Sequence, residues 1–121
     1  MLKHDLVRVK HMRDGAEEIQ KFIKGKTRND LEHDRMLSLA IVQLLEIIGE
    51  VANKVTPEFC AKYTQIPWKS VVGMRNRLIH GYFDIDLNIV WKTAVDEIPS
   101  LNKALTEIIK TEEFADGETA E

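Results

Sequence analysis

Leu2, Leu6, Val9, Met12 or Arg13, Ala16, Ile19 and Ile23 recur at steps of three and four residues, with charged residues between them. That spacing predicts a first helix with one buried stripe, ended by Gly25. Asn29, with Glu32 three positions later, predicts a capping box that opens a second helix from about Asp30 to Lys54. Leu37, Ile41, Leu44, Ile48, Val51 and Val55 form its main stripe. Ala40, Leu45, Ile47 and Ala52 widen that stripe beyond what one packing partner needs, which points to a central helix, a subunit interface, or both.

Thr56-Pro57 predicts a cap followed by proline at the first position of a short helix. Pro67 is expected to open another helix that carries Trp68, Val71, Val72, Met74, Leu78 and Ile79 and stops at Gly81. Asp84 or Asp86 then caps a last helical region through Leu87, Val90, Trp91, Val95, Ile98, Leu101, Leu105 and Ile108. Pro99 lies inside that region. It has no N–H to donate and its ring crowds the carbonyl of residue 95, so a kink or two abutting helices is expected there. No strand of useful length and no internal repeat is visible. The prediction is an all-α bundle of four or five helices, with residues 1–114 as one helical domain and 115–121 as an acidic, disordered tail.

Composition narrows the function classes. The chain has 121 residues, a size that holds one core, and is 44% apolar and 31% charged. No uninterrupted apolar run approaches the roughly 18 residues of a membrane span, and no signal-peptide region is seen at the start, so no membrane association and a cytoplasmic location are expected. Cys60 is the single cysteine, which excludes an internal disulfide or a cysteine zinc cluster. The net charge of −3 argues against a protein that coats nucleic acid nonspecifically. Yet no acidic residue lies between Glu58 and Asp84, while Lys62, Lys69, Arg75, Arg77 and His80 do. That basic segment is suited to attracting a phosphate locally.

Winding residues 71–81 at about 100° per residue puts Val71, Val72, Met74, Leu78 and Ile79 on one side. Lys69, Asn76, Arg77 and His80 fall on the other, with Asn76 and His80 one turn apart. Arg75 projects from the apolar side, so it needs either an opening or a carboxylate such as Glu46 or Glu50. His80, in the expected last turn, gains from the helix's negative end and is opposed by Arg75 and Arg77, which leaves it to titrate near neutral pH. The four histidines show no metal-ligand spacing, and no metal or other cofactor is expected.

The string Arg75-Asn76-Arg77-Leu78-Ile79-His80 resembles the R-polar-x-x-x-H signature of HEPN ribonucleases. With Gly81 and Tyr82 it matches the longer R-x-x-x-x-H-x-Y form of HepT toxins. Leu45 to Glu50, Ile66-Pro67-Trp68, Gly73-Met74 and Ile89-Val90-Trp91, followed by Ile98-Pro99, extend the resemblance up to about Lys110. The resemblance implies a HEPN-type bundle that forms a homodimer. It implies the toxin of a toxin–antitoxin pair, a metal-independent endoribonuclease with Arg75, Asn76 and His80 as its active site. It also implies a minimal nucleotidyltransferase antitoxin of the MntA type, which transfers AMP to Tyr82.

The residue types suit that chemistry. Attack of an RNA 2′-hydroxyl on the adjacent phosphate needs proton transfer, which an imidazole supplies, and stabilisation of a negative phosphorane, which a guanidinium supplies. Arg77 and Lys69 are the expected contacts to RNA phosphates. On one helix Arg75 and His80 diverge by about 140° and about 7.5 Å. Two copies across a two-fold axis remove that difficulty. The competing readings are a non-catalytic nucleotide- or RNA-binding module, or nucleotidyltransferase partner, and a purely structural bundle with Arg75 buried in an ion pair.

Overall fold

The computed structural model describes the backbone of residues 2–80 and 84–120 and the side chains of residues 4–79 and 84–115. Helix α1 (Leu2–Ile23) ends where Gly25 takes a positive φ of 76°, a conformation that glycine adopts without strain. Its buried face is Leu6, Val9, Met12, Ala16 and Ile19, the stripe its spacing predicts.

The predicted second helix is two helices, α2 (Arg28–His33) and α3 (Arg35–Asn53). The capping box is formed two residues earlier than Asn29/Glu32: Thr27 Oγ1 accepts from Asp30 N–H, and Thr27 N–H donates to Asp30 Oδ2 at 2.8 Å. Asp34 breaks the rod because its extended backbone lets the carboxylate accept from Leu37 N–H at 3.1 Å and cap a fresh start. The α3 stripe is also rotated from the expected one. Leu45, Ile48 and Ala52 are buried, whereas Leu44 and Val51 are only partly so. By length and composition α3 is apolar enough to cross a membrane. Its inward residues are instead in the core, and Met36, Leu39 and Ile47 remain exposed.

Thr56 caps α4 (Pro57–Lys62) as its Thr-Pro pair predicts. Asp5 of α1, buried, locks that cap by accepting from Thr56 N–H at 2.9 Å and Thr56 Oγ1 at 2.7 Å. At the other end of α4, Tyr63 and Lys62 both donate to the buried Glu112 of α8 (Ile98–Ala120), Lys62 at 2.8 Å. Burial pushes the Glu112 carboxyl up, but hydrogen bonds from Lys62 and Tyr63 outweigh it and hold the group below its ordinary 4.5. A depressed carboxyl contributes stability above that value and loses it as pH falls. Urea unfolding should therefore give lower stability below about pH 4.5, and Glu112→Gln should flatten that part of the profile. An unchanged acid limb in Glu112→Gln would refute this linkage.

The helix expected from Pro67 to Ile79 is also two, α5 (Trp68–Val72) and α6 (Met74–Leu78), bent at Gly73. Pro67 is the cap of α5 rather than its first residue. Beyond Leu78 the chain leaves the helix. Ile79 takes φ −117° and ψ 119°, and Asp86 N–H donates to the Leu78 carbonyl at 2.8 Å. A two-residue ribbon follows, β1 (Ile79–His80) antiparallel to β2 (Asp84–Ile85), with Ile79 opposite Ile85 and His80 opposite Asp84. The expectation that His80 ends a helix is therefore corrected, and with it the helix-dipole account of its charge.

Asp86 caps α7 (Leu87–Lys92), as the sequence allows. A π turn at Thr93–Glu97 then leads into α8. The wider turn ends two residues before Pro99 and takes up the deformation that a proline inside a helix requires. Helix α8 carries helical backbone to Ala120, into the acidic segment that shows no apolar pattern.

The long helices set the frame. Helices α1 and α3 are antiparallel, with Asp5 beside Thr56 and Gly15 against Ile48. Helices α1 and α8 are antiparallel too, through Asn102 to Gln20 and Lys10 to Glu113. Counting each broken rod once gives five helical units among the described residues. The fold is an all-α bundle whose single core includes Val9, Ile48, Phe59, Met74, Leu78 and Leu105.

Candidate active site

Helix α5–α6 is held against α3 at Gly49. A Cβ there would lie 3.0 Å from the Val71 carbonyl oxygen and 3.7 Å from Met74 Cβ. A side chain there would crowd that backbone, and the close approach places α6 along α3. Val71, Met74 and Leu78 enter the core, and Arg75 and Asn76 are left exposed.

Arg75 and Asn76 line one shallow cleft of about 190 Å³, together with Glu46, Gly49, Glu50, Asn53 and Val72. The Arg75 side chain is 63% exposed, and its Nε lies 3.8 Å from Glu46 Oε2. That distance is too long for a hydrogen bond, and an exposed pair of this kind contributes about 0–1 kcal/mol. The guanidinium is thus neither buried in the apolar face nor locked to a carboxylate. The bend at Gly73 is the reason, because the helical winding of 71–81 does not persist through it.

Other expected site residues lie apart. Arg77 does not line the cleft, and its Nη1 and Nη2 donate to Glu97 of the π turn at 3.1 and 3.2 Å. Lys69 is exposed on α5, outside the cleft, and has no ion-pair partner among the described residues. The backbone of His80 is in β1, two residues beyond α6, so Asn76 and His80 are not neighbours on a helix. Tyr82 lies outside the described residues, as does the side chain of His80.

The basic segment is balanced from elsewhere in the fold. Lys62 goes to Glu112 of α8, Arg77 to Glu97, and Arg75 faces Glu46 of α3. A second, more apolar cavity of about 270 Å³ is lined by Ile66, Met74, Glu97 and Leu101 among others, and holds none of the expected site residues. Cys60 is half-buried, and burial raises its thiol pKa, which disfavours the reactive thiolate. Among the described residues no cluster of His, Cys, Asp and Glu is placed to hold a metal ion.

Gly49 is the positioning residue that sequence reasoning missed. A glycine inside an otherwise apolar helix costs about 1 kcal/mol relative to alanine, and that cost was the available sign of a close backbone approach.

The class that the fold and site define is a small all-α bundle with an exposed arginine and asparagine on a short helix and the following histidine in a two-residue ribbon. The sequence profile of the family "Ribonuclease HepT-like" matches residues 12–108. The chain belongs to the HepT-like family.

Relatives agree. A Caldanaerobacter subterraneus protein named "Putative RNase" is 38% identical over 104 residues, covering 86% of this chain and 93% of its own. A Methanocaldococcus jannaschii protein, also named "Putative RNase", is 38% identical over 100 residues, 83% of each chain. A Thermococcus cleftensis protein named "Probable ribonuclease HepT" is 35% identical over 88 residues, covering 73% of this chain and 80% of its own. No solved structure gives a significant match.

Proposed function

We propose that this protein is a metal-independent endoribonuclease and the toxin of a toxin–antitoxin pair, acting as a homodimer on RNA. The observation that carries the reading is the exposed Arg75–Asn76 pair on α6, without a tight side-chain partner among the described residues and one short step before His80, in a chain of the HepT-like family.

In this reading the 2′-hydroxyl oxygen attacks the adjacent phosphorus as the imidazole of His80 takes its proton. The P–O bond to the 5′-oxygen breaks and that oxygen takes a proton from water, which leaves a 2′,3′-cyclic phosphate and a 5′-hydroxyl, and His80 later returns its proton to solvent. Arg75 donates to the phosphorane oxygens, and Asn76 donates to the same group or orients the imidazole. Lys69 supplies a phosphate contact outside the cleft. Arg77 contributes to RNA only by leaving Glu97, so its main role here is to fix α6 against the π turn.

One feature of the described surface supports a dimer. The exposed apolar residues Met36, Leu39 and Ile47 of α3 and Val72 of α5 lie on the elements that form the cleft. A second copy covering that face would bury them and bring a second Arg75 to the seam. Tyr82, two residues after His80, is the proposed acceptor of AMP from an MntA-type nucleotidyltransferase. The added anion would block phosphate by charge and bulk.

The test is purified protein incubated with RNA in EDTA. Fragments ending in cyclic phosphate and 5′-hydroxyl are expected. RNA or nucleotide binding without fragments would favour the non-catalytic module instead.

A further inference from the structure

The second cavity, of about 270 Å³, lies between the 66–74 segment and the start of α8 and shares no lining residue with the Arg75 cleft. Its floor holds Ile66, Met74, Ile98 and Leu101, all apolar and buried. Its charged lining is Asp96 and Glu97 of the π turn, both exposed, and no lysine, arginine or histidine among the described residues lines it. Glu97 accepts from Arg77, whereas Asp96 has no ion-pair partner among the described residues.

Size and charge together select an occupant. Small-molecule sites run to about 300–1,000 Å³. This space falls below that range and suits one large side chain, as does the pocket that takes an anchor residue at a protein interface. The acidic mouth repels RNA phosphates and attracts a lysine or arginine beside such an anchor.

We propose that this cavity docks a partner protein through a segment that presents one aromatic or large aliphatic side chain next to a lysine or arginine. The apolar side chain fills the space over Met74 and Leu101, and the cation pairs with Asp96. The docked segment also bears on α6 from outside the cleft. Met74 opens that helix, and Glu97 anchors its Arg77, so the support of Arg75 and Asn76 is touched while their cleft stays open.

The test follows the methyl NMR signals of Ile66, Met74, Ile98 and Leu101 as the capped peptide Lys-Trp-Lys is added to the full chain at low ionic strength, where charge is least screened. Saturable shifts are expected. The capped peptide Glu-Trp-Glu should bind at least about tenfold more weakly, and Lys-Ser-Lys should give no saturable shift. Asp96→Asn, an exposed change, should weaken Lys-Trp-Lys about fivefold. Ala104→Leu, which fills the lining from α8, should abolish binding. Absence of saturable shifts, equal binding of the two tryptophan peptides, or unchanged affinity in Asp96→Asn would overturn the proposal. So would the same methyls shifting with a short RNA, which would make this an RNA surface, or with protein concentration alone, which would assign the cavity to a second copy. None of these readouts needs turnover, so the outcome is separate from that of the nuclease test.

Discussion

Arg75→Ala is expected to slow RNA cleavage by about two to three orders of magnitude, the usual loss when one preorganised donor to a developing oxyanion is removed. The variant is a clean probe because the side chain is 63% exposed and its nearest carboxylate is 3.8 Å away. Among the described residues its removal uncovers no core and orphans no tight hydrogen bond, so unfolding in urea should be within about 0.5 kcal/mol of wild type. Arg75→Lys keeps the charge and loses the planar fork, so it should recover only part of the rate. Glu46→Gln separates the two roles open to this arginine. If Arg75 exists to pair with Glu46, the two variants should be equally damaged. If it serves phosphate, Glu46→Gln should keep cleavage or raise it, because a carboxylate leaves the cleft. Cleavage by Arg75→Ala at the wild-type rate would remove Arg75 from the mechanism.

Where a structural feature is decided within a few residues, the sequence was a sufficient guide. Gly25 ends α1, Thr56-Pro57 starts α4, Asp86 caps α7, and the region around Pro99 is deformed. The breaks at Asp34 and Gly73 escaped because the apolar stripe runs on in step across them. Leu31 and Leu37 flank the first break, Val71 and Met74 the second, and all four are buried. Periodicity reports which residues face inward and is silent on whether the backbone between them stays helical. The cap choice at the start of α2 was close. Both Thr27/Asp30 and Asn29/Glu32 satisfy the same three-residue rule, and only the first is made.

The site shows the same limit in sharper form. Leu78-Ile79-His80-Gly81 reads locally as a helix end with its glycine. What ends α6 is a bond from Asp86, eight positions later, to the Leu78 carbonyl. A non-local partner of that kind has no local signature. The choice between an opening and a buried ion pair for Arg75 stayed undecided for a related reason. A wheel drawn over residues 71–81 assumes one rigid axis, and the bend at Gly73 turns α6 so that Met74 and Leu78 alone carry its buried face.

The bent segment packs directly on Gly49, and Gly49→Val should be the most damaging single change outside the cleft chemistry. In an ordinary helix, replacing glycine gains up to about 1 kcal/mol. Here the first added carbon would already sit 3.0 Å from the Val71 carbonyl oxygen and 3.5 Å from that of Val72. These are backbone atoms, which cannot rotate away as a side-chain end can. Valine's two further carbons must then force α5–α6 off α3. Overpacking of this type costs about 1–3 kcal/mol or more, a large share of a stability of about 5–15 kcal/mol. Gly49→Ala should fall between the two, its helix gain offset by the same contact. The loss should exceed what unfolding explains, because Arg75 and Asn76 ride on the displaced segment. Cleavage per folded molecule, taken from urea unfolding and activity on one preparation, should drop in Gly49→Val. If that variant matched wild type in both, α3 and α5–α6 would not cross as closely as their carbonyl contacts require, and the cleft between them would need to be redrawn.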